Sequence, residues 1–265
     1  MHPARKVTED TYILPSEFPI PGFGTLAVNA YVIKAAEPVL VDTGLHQDAG
    51  TFMQALESVI DPDELRWLYL THPDQDHVGS LMEVMERAPR MRLITTYLGF
   101  GILSLFSQVP MDRTYLLNPG EQLDVGDRKL SAIRPPTFDN PATTAFVDTR
   151  SAILFSSDSF GALLPQMVED ARDLSEEVLR GGQITWTTVD SPWLHNIDRG
   201  LFESGLNAIR QIEPSVILSS HLPPAQGMTE RMIESLVAVP DSPRFVGPNQ
   251  ATLEAMLAEM TGAPA

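Results

Sequence analysis

Residues 71–77 read Thr-His-Pro-Asp-Gln-Asp-His and follow directly on the apolar run Leu65–Leu70. On a helix, His72 and Asp76 would share one face while Asp74 would point away from it. An extended turn at the end of a strand can instead direct both histidines and both aspartates of the motif into one pocket. The motif therefore predicts a strand that ends in a coiled metal-binding segment.

Two later apolar runs end in the same way. Phe155-Ser-Ser-Asp158 and Leu218-Ser-Ser-His221 each pass from apolar residues through small hydroxyl residues to a potential ligand, as Leu70-Thr-His72 does. In sheets that are covered by helices, ligand pockets form at the carboxyl ends of strands. We therefore expect these three strand ends to meet at one site.

A further candidate ligand is Asp139, because prolines discourage regular structure in its loop, residues 135–141, and fix the path of the chain. The candidate ligands are then His72, Asp74, Asp76, His77, Asp139, Asp158 and His221. This number suits two metal ions better than one. Without cations, each close pair of carboxylates would repel by roughly 4 kcal/mol at ~4 Å and an effective dielectric near 20. Metal removal should therefore lower thermal stability, and the oxygen-rich ligand set favours iron or manganese over zinc.

Composition narrows the possible cofactors and partners. The chain has no cysteine, which excludes disulfides, cysteine-ligated zinc and iron–sulfur clusters. Its net charge of -17 and the lack of a basic segment oppose binding to nucleic acid or to an anionic membrane. The first residues lack the apolar core of a secretory signal, and no stretch is apolar enough to span a bilayer, so we expect a cytoplasmic protein.

The apolar pattern indicates an α/β protein of one domain, residues 1–265, which ends in a helix after a proline-rich connection at 239–249. Strands in both halves with helices around them indicate two mixed sheets packed face to face between outer helices, an αββα sandwich. Strands are predicted at Leu26–Lys34, Val39–Val41, Leu65–Leu70, Leu93–Tyr97, Glu121–Leu123, Lys129–Ile133, Ala145–Val147, Ile153–Ser156 and Val216–Ser219. Helices are predicted at Thr51–Ile60, Val78–Arg87, Gly101–Val109, Glu169–Arg180, Leu201–Ile212, Thr229–Val237 and Thr252–Met260.

The order of these segments resembles the metallo-β-lactamase superfamily over nearly the whole chain. The motifs that carry the resemblance are Val41-Asp-Thr-Gly44, His72-x-Asp74-x-Asp76-His77, Ser157-Asp158-Ser-Phe-Gly161 and Ser220-His221. Within that superfamily the chain is most similar to the diiron domain of flavodiiron proteins and to stand-alone oxygen-binding diiron proteins. In those relatives a carboxylate replaces the second histidine of the hydrolase motif, and Asp74 occupies that place here.

The resemblance implies a metallo-β-lactamase-like fold with a diiron site. One metal would be held by His72, Asp74 and Asp139, the other by Asp76, His77 and His221, and Asp158 would bridge the two. Two ligands depart from the family pattern, because those relatives usually carry Glu at the position of Asp74 and His at that of Asp139. Aspartate is one methylene shorter than glutamate, so we expect the first metal to sit deeper, to bind more weakly or to keep an additional open position.

The resemblance favours a non-haem diiron protein that binds dioxygen or nitric oxide, whether or not it goes on to reduce the gas, and that forms a homodimer. Flavodiiron proteins continue into a flavodoxin-like domain, whereas this sequence ends at Ala265 without a flavin-binding segment, so we expect a separate electron-donor protein. One alternative is a hydrolase of a lactone, thioester, lactam or phosphodiester that uses two zinc or manganese ions. The carboxylate at Asp74 weighs against it. The other alternative is an oxygen sensor without turnover.

Two further residues have open roles at this point. Asp42, at the end of an apolar run, either orients a ligand histidine or caps the turn that follows it. His195 either reaches the pocket as a proton donor or lies exposed or hydrogen-bonded on a helix.

Overall fold

A computed structural model describes residues 1–261, which form two β-sheets with helices on their outer faces. The strands are β1 (Arg5–Lys6), β2 (Thr11–Ile20), β3 (Gly24–Ile33), β4 (Val39–Val41), β5 (Trp67–Tyr69), β6 (Arg92–Thr95), β7 (Thr114–Leu116), β8 (Gln122–Asp124), β9 (Lys129–Ile133), β10 (Ala145–Asp148), β11 (Ile153–Ser157), β12 (Leu163–Leu164), β13 (Val216–Ser219) and β14 (Ala225–Gln226). The helices are α1 (Ala49–Val59), α2 (Leu81–Arg87), α3 (Tyr97–Leu103), α4 (Glu176–Asp190), α5 (Arg199–Ile212), α6 (Thr229–Ala238) and α7 (Gln250–Thr261).

Both sheets are mixed, as the sequence predicted. The first runs in the order β1-β2-β3-β4-β5-β6-β7, with β12 also paired to β3, and the second in the order β14-β13-β11-β10-β9-β8. Strands β4 to β7 are parallel to one another, and so are β11 and β13, whereas the remaining pairings are antiparallel. Because neighbouring parallel strands end at the same edge of a sheet, the candidate functional residues that follow β4 and β5 lie at one edge, and so do those that follow β11 and β13.

Alternation along each strand divides the core into three layers. On β5, Trp67 and Tyr69 face the space between the sheets, while Leu68 packs against α1 and α2 on the outer face. On β11, Phe155 faces the inter-sheet core and Leu154 packs under α4 to α6. An outer helical layer therefore covers each sheet, which confirms the αββα sandwich.

Aromatic side chains join the two sheets. Phe146 and Phe155 stack with ring centroids 4.5 Å apart, Tyr69 lies 4.3 Å from Phe146, and Tyr31 meets Phe155 edge-on at 5.6 Å. The Tyr31 hydroxyl donates a 2.6 Å hydrogen bond to the backbone oxygen of Ser219. This bond ties β3 to the end of β13, so the two sheets are fixed relative to each other beside the strand ends.

Several boundaries differ from the sequence predictions. The strand predicted at Leu93–Tyr97 ends earlier, at Thr95. The Thr96 side chain accepts a hydrogen bond from the Gly99 amide and caps α3, which begins at Tyr97. The helix predicted at Gly101–Val109 was correct only for residues 101–103, because α3 begins at Tyr97 and ends at Leu103. The helix predicted at Glu169–Arg180 instead begins after Ser175, which caps α4.

Strand β2 was missed because it contains Pro15 and Pro19, which the pattern treats as strand breakers. The strand tolerates these prolines because β1 pairs only with Tyr12 and Ile13. Beyond Ile13, that edge of β2 has no paired strand to which a proline would have to donate a backbone hydrogen bond. Among the described residues, no helix is both long and apolar enough to cross a membrane. The predicted C-terminal helix is present as α7, and residues 262–265 of the predicted domain lie outside the described part of the chain.

Candidate metal centre

The segment after β5 is coil, as the sequence predicted, and Asp42 fixes its start. Asp42 follows β4 with a left-handed φ of 55° and is 1% exposed. It accepts 2.8 Å hydrogen bonds from the amide and the hydroxyl of Thr71. Gly79 lies against the backbone at Leu45, where a Cβ would come within 2.2 Å, so the segment packs tightly on the loop after β4.

Three buried histidines each have one ring nitrogen engaged by the protein. Nδ1 of His77 lies 2.9 Å from Asp42 Oδ2, Nδ1 of His221 lies 2.7 Å from the backbone oxygen of Ala27, and Nδ1 of His72 lies 3.2 Å from Ser157 Oγ. The Nε2 atoms of all three are buried without a hydrogen-bond partner. A buried nitrogen without a partner is costly, so three that converge indicate an electron-pair acceptor between them.

Asp158 lies at the centre of the three imidazoles. Its Oδ1 is 3.2 Å from His77 Nε2 and 3.3 Å from His221 Nε2, while its Oδ2 is 3.4 Å from His72 Nε2. The residue is 3% exposed, and Oδ1 has no hydrogen-bond partner. The left-handed φ of 55° at Ser157 turns the chain after β11 so that Asp158 enters the pocket. Its two oxygens therefore face two different groups of ligands.

The remaining aspartates complete these two groups. Asp74 Oδ2 and Asp139 Oδ1 lie 3.7 Å and 3.8 Å from His72 Nε2, and Asp76 Oδ2 lies 3.6 Å from His77 Nε2 and 3.4 Å from His221 Nε2. Their side chains are 30–35% exposed, so the three form the open side of the pocket. The structure thus brings together all seven residues that the sequence singled out.

The loop that carries Asp139 is held from several sides. Arg134 donates hydrogen bonds to the backbone oxygens of Pro141 and Thr143. Trp193 donates a 2.9 Å bond to the backbone oxygen of Phe138, and their rings lie 5.0 Å apart. These contacts position the loop before any metal binds.

The ligand spacing fits metal coordination. A metal bonded to nitrogen or oxygen at about 2.1 Å separates neighbouring ligand atoms by roughly 3.0 Å in octahedral and 3.4 Å in tetrahedral geometry. The nitrogen–oxygen distances within the two groups are 3.2–3.8 Å. With the partnerless Nε2 atoms, the residues present fit two metal ions that share Asp158.

The electrostatics of the pocket are those of a cation site. Burial alone would lower the pKa values of the histidines, but the surrounding carboxylates raise the pKa of His221 to about 9 and that of His77 well above its usual value. The pKa of His72 is raised in the same way, mainly by Asp158. The carboxylates therefore favour positive charge in the pocket, and bound cations would supply it.

The carboxylates divide by their surroundings. Burial would raise the pKa of Asp158, but the three histidines hold it well below the usual range, and His77 and His221 likewise lower that of Asp76. Burial and the neighbouring charge of Asp158 instead raise the pKa of Asp139 to about 6. The pocket therefore holds excess negative charge on the Asp139 side.

Sequence reasoning missed Asp190 and Asn140. Asp190 ends α4, is 8% exposed, and has a carboxylate oxygen within 4.8 Å of oxygens of Asp139 and Asp158. Burial and those two neighbours raise the pKa of Asp190 to about 8. Asn140 donates a 2.7 Å hydrogen bond to Asp74 Oδ1 and so joins the loop to the motif.

A signal for Asp190 was present in the sequence, since Gln183, Thr187 and Asp190 recur at helical spacing. The predicted helix stopped at Arg180, before them. Asp42 contacts His77, which favours its orienting role over turn capping. His195 belongs to none of the ligand groups found among residues 1–261, and its Nε2 is buried without a partner.

Known proteins resemble this chain in both sequence and structure. It is 31% identical over 134 residues to the anaerobic nitric oxide reductase flavorubredoxin of Pectobacterium atrosepticum, a match covering 50% of this chain and 26% of the relative. The fold matches rubredoxin oxygen:oxidoreductase from Desulfovibrio gigas with a TM-score of 0.78 at 18% identity, covering 90% of this chain and 61% of that one.

A third similarity concerns the extent of the domain. Residues 1–254 of the putative diflavin flavoprotein A 5 from Nostoc sp. PCC 7120 match with a TM-score of 0.74 at 16% identity, covering 90% of this chain and 96% of that fragment. The model of the ODP family beta lactamase matches residues 26–185. These similarities confirm the predicted resemblance to the metallo-β-lactamase superfamily and, within it, to flavodiiron proteins. The chain belongs to the ODP beta-lactamase family.

Proposed function

We propose that this protein is a non-haem dinuclear-metal protein, with iron as the metal, that binds dioxygen or nitric oxide and reduces it. The observation that carries the proposal is the convergence of three buried, partnerless Nε2 atoms on the two oxygens of Asp158. Support for the chemistry comes from the relatives, which are named as a nitric oxide reductase and an oxygen:oxidoreductase.

In this proposal each metal has its own ligands. His72, Asp74 and Asp139 hold the first metal, and Asp76, His77 and His221 hold the second, with one oxygen of Asp158 for each. Asp190 lies beside the first group. The many carboxylate oxygens favour iron or manganese, whereas zinc sites are richer in nitrogen or sulfur.

When bound, two iron ions would supply open coordination positions for a diatomic ligand and would pass to it the electrons that an external reductant delivers. The chain's own residues prepare the pocket for this. Asp42 holds Nδ1 of His77 so that Nε2 faces the interior, and Ala27 does the same for His221. Gly161 allows Trp186 to pack near His221, since a Cβ there would come within 2.6 Å of the indole. Small ligands enter on the side of the half-exposed aspartates.

We also propose that a separate electron-donor protein supplies the reductant and that the protein is a homodimer. The chain spans only 26% of the length of the flavorubredoxin relative, so the activity of that whole protein is not carried over directly. Sedimentation of the purified protein tests the dimer. Addition of small redox proteins to the turnover assay tests the donor.

The central test is metal analysis of anaerobically purified protein, followed by uptake of dioxygen and consumption of nitric oxide with a supplied reductant. We expect two iron ions per chain and consumption of at least one of the two gases. Asp158→Asn should lose metal and activity together. Asp173→Asn, which changes an aspartate outside the ligand groups, should retain both.

Other outcomes would identify the alternatives. Two zinc ions with turnover of a lactone, thioester, lactam or phosphodiester would replace the diiron proposal with the hydrolase. Reversible binding of dioxygen that consumes no reductant would replace reduction with sensing. Absence of stoichiometric metal from the folded protein, even after anaerobic addition of Fe²⁺, would refute the metal site itself.

A further inference from the structure

Helix α4 carries a row of buried polar side chains, and the last of them, Asp190, lies beside the candidate metal ligands. Gln183, Thr187 and Asp190 are 0%, 1% and 8% exposed and recur at helical spacing. Gln183 donates a 3.1 Å hydrogen bond to the backbone oxygen of Phe160, whereas its Oε1 is buried without a partner. Helix α4 therefore places polar side chains in the interior as well as covering the sheet.

Asp190 occupies a position that disfavours a carboxylate. It is the last residue of α4, where the helix dipole is negative, and it is almost fully buried. The Ser191 hydroxyl donates a 2.8 Å hydrogen bond to its Oδ2. Among residues 1–261, Asp190 forms no ion pair with a basic side chain, and the charge of His221 only partly offsets the raised pKa of the Asp190 carboxyl group. A bound cation is the partner that such a site lacks.

The neighbours of Asp190 point to the same cation. One oxygen each of Asp139, Asp158 and Asp190 lie within 4.8 Å of one another, so the three carboxylates are close enough to share one cation. His72 Nε2, on the same side of the pocket, lies 3.4 Å from Asp158 Oδ2 and 3.8 Å from Asp139 Oδ1 and is buried without a hydrogen-bond partner. The group of three aspartates shares Asp139 with the group formed by His72 and Asp74, so both groups face the first metal position.

We propose that Asp190 is an additional carboxylate ligand of the first metal. This inference rests on the dinuclear site proposed above. Four aspartates and one histidine then surround the first metal, against two aspartates and two histidines around the second. The first position is therefore the harder, more oxygen-rich one. Asp190 also compensates for the short side chains of Asp74 and Asp139, at positions where the family usually carries Glu and His.

The test compares Asp190→Asn with the unaltered protein in a titration of metal-free protein with Mn²⁺, followed by calorimetry. Asparagine has nearly the same size and can still accept the hydrogen bond from the Ser191 hydroxyl, but it carries no negative charge. We expect one of two Mn²⁺ ions to bind at least about tenfold more weakly, since even loss of an outer partner of a metal ligand costs 10–100-fold. Glu177→Gln, on the exposed side of the same helix, should bind both ions normally.

Thermal melting separates ligation from a structural role. Removal of one of three crowded carboxylates should raise the melting temperature of the metal-free protein, while the further increase on adding Mn²⁺ should become smaller than in the unaltered protein. A merely structural aspartate would lower the melting temperature without metal and leave the metal-induced increase unchanged.

The two proposals can fail separately. If Asp190→Asn binds two Mn²⁺ ions with unchanged affinity, Asp190 is not a ligand, although the dinuclear site stands. If the unaltered protein binds no stoichiometric metal, both the proposed function and this inference are refuted.

Discussion

Replacement of Asp42 by asparagine should weaken the second metal without disturbing the fold. Asp42 accepts three hydrogen bonds, two from Thr71 at 2.8 Å and one that joins Oδ2 to His77 Nδ1 at 2.9 Å. Its φ of 55° is left-handed, a conformation that asparagine also tolerates, so the substitution adds no backbone strain. The change therefore acts mainly on the hydrogen-bond pattern.

The expected magnitude follows from the geometry. If the asparagine oxygen keeps the bond from the Thr71 amide, the NH₂ group faces His77 Nδ1, which must then accept a hydrogen bond. The neutral ring would carry its proton on Nε2, the nitrogen that faces Asp158 and Asp76, and could no longer donate a lone pair to a metal. A hydrogen bond to a charged group contributes about 1.5–3 kcal/mol, which corresponds to a roughly 10- to 150-fold weaker second metal.

Anaerobic titration of metal-free Asp42→Asn with Fe²⁺ or Mn²⁺ measures this effect. One ion should bind as in the unaltered protein, and the other should bind at least about tenfold more weakly. Circular dichroism should show the same secondary structure. Unchanged affinity for both ions would refute the reasoning that Asp42 sets the tautomer of His77.

Three further predictions concern stability. Removal of metal by a chelator should lower the melting temperature, because the aspartates of the pocket repel without cations; an unchanged value would contradict the site. Since the pKa of His221 is raised from 6.5 to about 9, its contribution to the metal-free protein is complete below about pH 6.5 and is lost as the pH rises through about 9. Urea unfolding at pH 6 and pH 9.5 should show that loss, and equal stability would exclude it. Arg128→Met should cost about 3–5 kcal/mol in urea unfolding because it leaves Asp148, which is 0% exposed and 2.9 Å from the guanidinium, as an unpaired buried charge. Metal stoichiometry should stay the same, and a loss below 1 kcal/mol would show that water reaches Asp148.

Local sequence determined the ligand motif and the layered architecture. The continuous apolar run before the motif predicted a strand that is covered on both faces. The structure agrees, because Leu68 is buried in a different layer from its neighbours Trp67 and Tyr69. Ligands that follow strand ends, such as His72 and Asp158, were predicted because the carboxyl ends of neighbouring strands share one edge. These inferences need only the spacing of apolar residues along the sequence and the chemistry of a few side chains.

Tertiary structure decided what depends on contacts between distant segments. Asp190 became a candidate ligand only because α4 starts at the Ser175 cap and extends fifteen residues, which brings its last turn beside Asp139 and Asp158. The role of Asp42 stayed open until folding placed its Oδ2 beside His77, 35 residues away. Strand β2 formed despite two prolines because most of one side has no neighbouring strand. Periodicity describes one segment at a time, whereas burial, unsatisfied atoms and charge clusters arise only when segments meet.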